Sequence, residues 1–464
     1  MKHGSARGTR SLPKNLALSL VSLLVFLILA EALASALESG EKAPRPGVQD
    51  AITGFRLRPG NTYTEVGGAE VTTNSRGFRD NEVPSSRPRG GIRILALGDS
   101  STFGYGVLRE ETWVERLERG LEARFPDRAV EVINAGTPGW SSANGAAFLA
   151  GEGLSWNSDL VIVSFGYNEQ LGSGPGAPHY DYDPQRRRVL FHPLGVAVRE
   201  MIRPAPEIEG EEEDFSDRFD AFPRRLKLYA LMERMLHASR QGFARMTGRL
   251  KSSGIASRVL RGAYRRNPER IYAPLRVAVK GNHVMESYAA NLEAIVALCR
   301  EADVPVLLLL QPRRAYREFV DFLPDADRAA NLESLALMRA GKSDEAIAIL
   351  APRNAARPQD AVTAYHLGIA YHLAGKTAEA RAHLEQVVPI RSFTLNAIAL
   401  MNAGRLGIPV IMATLPFAGN DSVALFFPDR YHTTAVGYAL IASEVEKFLD
   451  EEGSLEAAIA QGAE

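Results

Sequence analysis

Ile94-Leu-Ala-Leu-Gly-Asp-Ser-Ser-Thr-Phe-Gly-Tyr-Gly106 is the stretch on which the reading of this chain turns. An unbroken apolar run that stops at glycine reads as a strand buried on both faces, the kind found in parallel sheets. Gly98-Asp99-Ser100 then forms the turn at its carboxyl end. In open α/β sheets ligands bind at that edge, so Ser100 is either a nucleophile on display or one polar residue of a turn. Which of the two holds depends on partners elsewhere in the chain.

Working outward, the same pattern recurs. Apolar runs at 130–133, 160–165, 304–310 and 408–415 end respectively in Asn134-Ala-Gly-Thr-Pro-Gly139, Gly166-Tyr-Asn-Glu169, Gln311-Pro312 and Pro416. Helical periodicity falls between them. Trp113, Leu117, Leu121 and Phe125 recur every fourth residue, and helical patterns cover 288–301 and 393–406. Alternating strands and helices imply an α/β fold with five parallel strands and helices on both faces.

With 464 residues, 45% of them hydrophobic and 23% charged, the chain has material for a large core and accessory modules. A net charge of −1 argues against nucleic acid as a partner, because phosphate recognition leaves a basic footprint. The single cysteine, Cys299, excludes an internal disulfide and reads as a buried helix residue.

Residues 1–38 read as an export signal: Lys2, Arg7, Arg10 and Lys14 precede an almost wholly apolar run at 16–30, which extends as a helix from Leu16 to Leu37 if Glu31 lies near the outer interface. That run reaches the roughly 20 residues needed to span a bilayer, and the positive-inside rule delivers everything after it to the far side of the membrane. An uncleaved anchor is expected, placing the rest of the protein in the periplasm of a bacterium, tethered to the inner membrane. Ala34-Ser35-Ala36 also resembles a cleavage site, which leaves a removed signal peptide as the alternative. Residues 39–91, rich in Pro, Gly and Arg, read as a juxtamembrane linker that then pads the domain, with one short hairpin near Tyr63 to Val71 and a turn at Asn74-Ser-Arg-Gly77. Residues 451–464 read as a tail.

Two insertions interrupt the main domain, 92–450. The lid-like segment 171–280 is acidic from Glu207 to Asp220; from Ala221 to Arg276 it carries 14 Lys or Arg against 2 Glu. A basic amphipathic stretch suits an anionic membrane surface or a lid whose arginines face water. In 325–390, Gly341, Ala346 and Leu350 recur as Gly375, Ala380 and Leu384, each 34 residues on. The period and Leu367-Gly368 resemble a tetratricopeptide repeat, a helix pair suited to protein contact. Its first copy departs from the pattern, with Glu333-Ser334 in place of Leu367-Gly368. His366, His372 and His383 lack metal-ligand spacing, and no metal or cofactor is expected.

Acylation of a serine needs a base, a group that orients the base, and donors for the oxyanion. Pro428-Asp-Arg-Tyr-His-Thr-Thr434 offers Asp429 and His432 on one loop before an apolar helix, although capping and surface roles also fit them. Gly136 and Asn168, on the two intermediate loops, offer a backbone N–H and a side-chain amide.

Taken together, Gly98-Asp99-Ser100, Asn134-Ala-Gly136, Gly166-Tyr-Asn168 and Asp429-x-x-His432, in this order, resemble the four blocks of the SGNH hydrolases, the GDSL esterase/lipase family. The resemblance covers about 92–170, 281–315 and 391–450. It implies a three-layer, flavodoxin-like α/β/α domain in which Ser100 is the nucleophile, His432 the base and Asp429 its orienting carboxylate. The Ser100 N–H, Gly136 N–H and Asn168 side chain would form the oxyanion hole. Glu169 departs from the aspartate usual after the asparagine, which touches loop support rather than chemistry. The expected activity is hydrolysis of acyl esters, O-acetyl groups of exported glycans or lipid esters among them. The same triad also serves transfer of acetyl to a sugar hydroxyl, and a non-catalytic glycan-binding scaffold is the reading from a different class.

Overall fold

The structure, a computed structural model, describes residues 47–65, 69–84, 87, 90–169, 179–192, 282–390, 392–419, 425–426 and 432–452. The expected anchor at 16–37, the acidic and basic parts of the lid-like segment and Asp429 lie outside them. No helix among the described residues is long and apolar enough to cross a membrane.

Five parallel strands form the central sheet: β1 (Ile92–Gly98), β2 (Val130–Gly136), β3 (Leu160–Ser164), β4 (Val306–Leu309) and β5 (Val410–Ile411). Their order is β5-β4-β3-β1-β2, with Gly98 opposite both Gly136 and Ser164. The first strand therefore lies inside the sheet and its carboxyl end faces the loops of both neighbours, the topological switch point where α/β ligands bind.

Alternation along each strand divides the core. Leu95, Leu97, Ile133, Val161, Val163 and Leu308 pack under α3 (Ser142–Gly151), α4 (His283–Glu301) and α5 (Thr394–Leu406). Ile94, Ala96, Val132, Ile162, Leu309 and Ile411 pack under α2 (Trp113–Arg124) and α6 (Ala435–Glu452), with α1 (Ser100–Phe103) at the strand end. Cys299 lies in α4 with no exposure, and burial pushes its thiol up to about 12.

Two expectations need correction. The last strand is two residues long rather than eight, because Thr414–Gly419 turns into a helix whose first turn tolerates Pro416. Residues 47–84 do more than link and pad. They form hairpins Gly47–Asp50 with Gly54–Leu57 and Thr62–Thr64 with Glu70–Thr72, the second pairing Tyr63 with Val71 as expected. Phe78 is buried among Trp140, Phe148 and Trp156, ring centres 5.3 to 6.4 Å away. Within the lid-like segment, His179–Asp183 and Arg188–His192 form a third hairpin, which packs on α3.

Residues 325–387 form four helices, Asp325–Arg339, Ser343–Ala356, Ala361–Leu373 and Thr377–Val387. The 34-residue spacing has a geometric counterpart. Gly341 (φ +74°) donates to Met338 O and Lys342 to Leu337 O; Gly375 (φ +72°) donates to His372 O and Lys376 to Tyr371 O. Ala346, Leu350, Ala380 and Leu384 are all buried. His366 Nδ1 meets Asn331 Oδ1 at 2.7 Å, and His383 stacks on Tyr371.

Candidate active site

The site is built on the turn after β1. Asp99 is extended (φ −99°, ψ −153°) and caps α1, its Oδ1 accepting from the Ser101 N–H at 2.8 Å. The chain turns this sharply because position 98 has no side chain: a Cβ there would strike Thr102 Oγ1 and lie 2.7 Å from the Ser164 carbonyl. Gln311 Nε2 reaches from the end of β4 to Asp99 Oδ1 (2.9 Å) and Ser164 O (3.0 Å), tying three strand ends together. Burial raises the Asp99 carboxyl. Enclosed in this way, Asp99 orders the turn and leaves Ser100 as the first helical residue, 8% exposed.

Ser100 Oγ lies 2.8 Å from His432 Nε2, across 332 residues of sequence. That is hydrogen-bond reach, the geometry in which an imidazole takes the proton of an attacking hydroxyl. His432 stands just before α6. Its flank is held by a bridge between Phe426 and Thr433 and by the Thr434 N–H on Leu425 O at 2.9 Å. The ring of Tyr105 lies against that of His432, with centres 4.3 Å apart and planes 33° apart.

The two expected donors fare differently. Asn168 sits on the loop after β3 and its Nδ2 donates to Trp140 O at 2.8 Å, leaving the second hydrogen of the amide to give. Gly136 does not fit the donor role, because its N–H is taken by Asn134 Oδ1 at 3.0 Å. Its lack of a side chain serves packing: a Cβ would enter the backbone of α1 at Thr102 and Phe103. Three residues on, Gly139 has φ +89° and lines a cavity together with Asn168. Its N–H has no partner among the described residues. Pro138-Gly139 was the available sequence signal for this turn.

That cavity encloses about 280 Å³ between Ser141, Tyr167, Asn168, Glu169, Asp181 and Ser287. Ser287 Oγ donates to Asp181 Oδ1 at 2.7 Å, and His283 Nε2 meets Asp181 Oδ2 at 2.8 Å. Glu169, 7% exposed, accepts from the Ser142 N–H at 2.7 Å and so holds the start of α3. Burial pushes its carboxyl up to about 7. Asn291 Nδ2 donates to Ser142 Oγ at 3.0 Å, linking α4 to the same point.

Comparison with known proteins adds a family. Residues 96–245 match the GDSL-like Lipase/Acylhydrolase family. No curated protein matches the chain. Among solved structures the chain is similar to an alpha/beta hydrolase enzyme from the metagenome of Lake Arreo, Spain, at 15% identity over 79% of this chain and 98% of that one, with a TM-score of 0.33. It is also similar to the lipase/acylhydrolase from Enterococcus faecalis (12% identity, 78% and 96% covered, TM-score 0.33). An acetylxylan esterase from Geobacillus stearothermophilus gives 12% identity, the same coverage and a TM-score of 0.32. Likenesses at these TM-scores carry no weight, and the assignment rests on the family match. The chain carries a GDSL-like lipase/acylhydrolase domain and is a serine ester hydrolase.

Proposed function

We propose that the protein is an exported, membrane-tethered esterase that removes small acyl groups, O-acetyl above all, from exported glycans. The observation that carries this reading is the 2.8 Å approach of Ser100 Oγ to His432 Nε2. His432 takes the hydroxyl proton as Ser100 attacks the ester carbonyl, and the carboxylate of Asp429 orients the ring and stabilises the imidazolium. The oxyanion is held by the Ser100 N–H, the Asn168 side chain and, in place of Gly136, the Gly139 N–H. Collapse expels the alcohol, which receives the proton from His432, and water activated by the same base releases the acid. The basic end and apolar run of residues 1–38 support a bacterial inner-membrane anchor with the catalytic domain in the periplasm. The repeated caps at Gly341 and Gly375 support a tetratricopeptide-type module for protein contact.

A second reading, acetyl transfer to a sugar hydroxyl, is favoured by the cavity beside Asn168, whose hydroxyls, carboxylates and tyrosine rings suit a polyhydroxylated acceptor. Two measurements separate the readings. Fluorophosphonate should label the wild type and not Ser100→Ala, and Ser100→Ala should lower turnover of 4-nitrophenyl acetate by about 10⁴-fold or more. A wild type that takes no label and cleaves no ester sinks the proposal. Free acetate from an acetylated glycan marks hydrolysis, whereas acetate passed to an added glycan marks transfer.

A further inference from the structure

Residues 47–84 grip the loop after the nucleophile from two directions. Arg79, 1% exposed, donates through Nη1 to Gly104 O at 2.7 Å and Phe103 O at 3.4 Å, and through Nη2 to Val107 O at 2.7 Å. Its guanidinium carbon stands 5.2 Å from the centre of the Phe103 ring. From the tip of the 62–72 hairpin, Glu65 Oε2 accepts the Gly106 N–H at 3.0 Å. One cation and one anion thus hold the backbone of 103–107 on its carbonyls and on an amide. Sliding of the loop would strip the buried Nη1 and Nη2 groups of their carbonyl acceptors, so this arrangement resists it.

Between the two grips sits Tyr105, the residue whose ring lies on His432. The Tyr105 ring covers one face of the His432 ring and limits how far the base can tilt about its contact with Ser100. Gly104 (φ +84°) and Gly106 (φ +81°) flank Tyr105 in the left-handed region, which turns the ring out of the helix and over the base.

We propose that Tyr105 is a positioning residue for His432 and that Arg79 and Glu65 are the clamp that holds it, so that residues 47–84 are part of the working site. The inference rests on the ester-hydrolase reading. A misplacement of about 1 Å in a catalytic group costs about 10²-fold in rate, which sets the scale of the effect.

The test uses the full chain in detergent with 4-nitrophenyl acetate, fluorophosphonate and a thermal melt. Tyr105→Phe keeps the ring and should stay within about twofold of wild type, whereas Tyr105→Leu should lower kcat and the labelling rate by about tenfold to a hundredfold, with KM within about twofold. Glu65→Ala releases Gly106 and should lower kcat by about tenfold, while Glu65→Gln, which keeps an acceptor, should restore most of it. The Glu65 pair reads the clamp even where Tyr105→Leu fails to fold. Equal rates for the Leu and Phe variants, or losses confined to KM or the melting temperature, overturn the inference and leave the hydrolase reading standing. A wild type without label overturns both.

Discussion

Glu169 shows how much a single residue does here. It anchors α3 through Ser142 while lining the cavity beside Asn168, and its burial keeps the carboxyl neutral up to about pH 7. Its folded value lies above the unfolded one, so its contribution is full at pH below about 4.5 and is lost as pH rises through 7. The amount is on the order of 3 kcal/mol. Asp80, pushed up to about 6, and Glu118, pushed up to about 7, act with the same sign, so the difference between wild type and Glu169→Gln isolates the residue. The melting temperature of wild type should fall relative to Glu169→Gln by about 5 °C between about pH 5 and about pH 8, and a constant gap would refute the assignment. At this scale the sequence exposed the residues that are rare in kind, such as a serine after a buried strand or a histidine before an apolar helix. It did not separate Gly136 from Gly139, because a glycine required by close packing and one required by positive φ are the same letter.

Among elements, those with an exposed side were readable and those without one were not. The helix α2 shows a buried stripe at Trp113, Leu117 and Leu121 and was expected within a residue of its observed end. By contrast α3 reads Ser-Ala-Asn-Gly-Ala-Ala-Phe-Leu with small residues and buries Ser142 through Leu149 on every side, so no periodicity marks it. The 47–57 hairpin was missed because four-residue strands of mixed exposure carry too little pattern. The 34-residue spacing marked Gly341 and Gly375, and their shared turn geometry makes a paired prediction. Gly341 and Gly375 have positive φ and open space around them, so alanine meets only backbone strain. Gly341→Ala and Gly375→Ala should each cost about 1 kcal/mol in denaturant unfolding and add in the double variant. Gly368→Ala should cost more, because its Cβ would lie 2.8 Å from Leu384 Cγ. Equal costs at all three positions would count against the shared cap geometry.

For the molecule as a whole, the α/β class and the five-strand count were legible because parallel strands are apolar throughout and these runs end at glycine loops or at proline. The part played by residues 47–84 was not, because a buried arginine such as Arg79 looks like a linker arginine until its carbonyl partners are brought round by the fold. Ser100 and His432 meet across 332 residues, and α6, next to His432, also covers one face of the sheet. This long closure sets when the enzyme becomes active. A chain made from its amino end carries Ser100 through 332 residues of synthesis before His432 and α6 follow. On the proposed roles, the pairing of Ser100 with His432 and the seating of α6 on the sheet come together late in synthesis. Chains arrested after residue 425 should be cleaved by protease and take no fluorophosphonate, and both properties should reverse together when synthesis runs past α6. A protease-resistant chain without label would separate the two events.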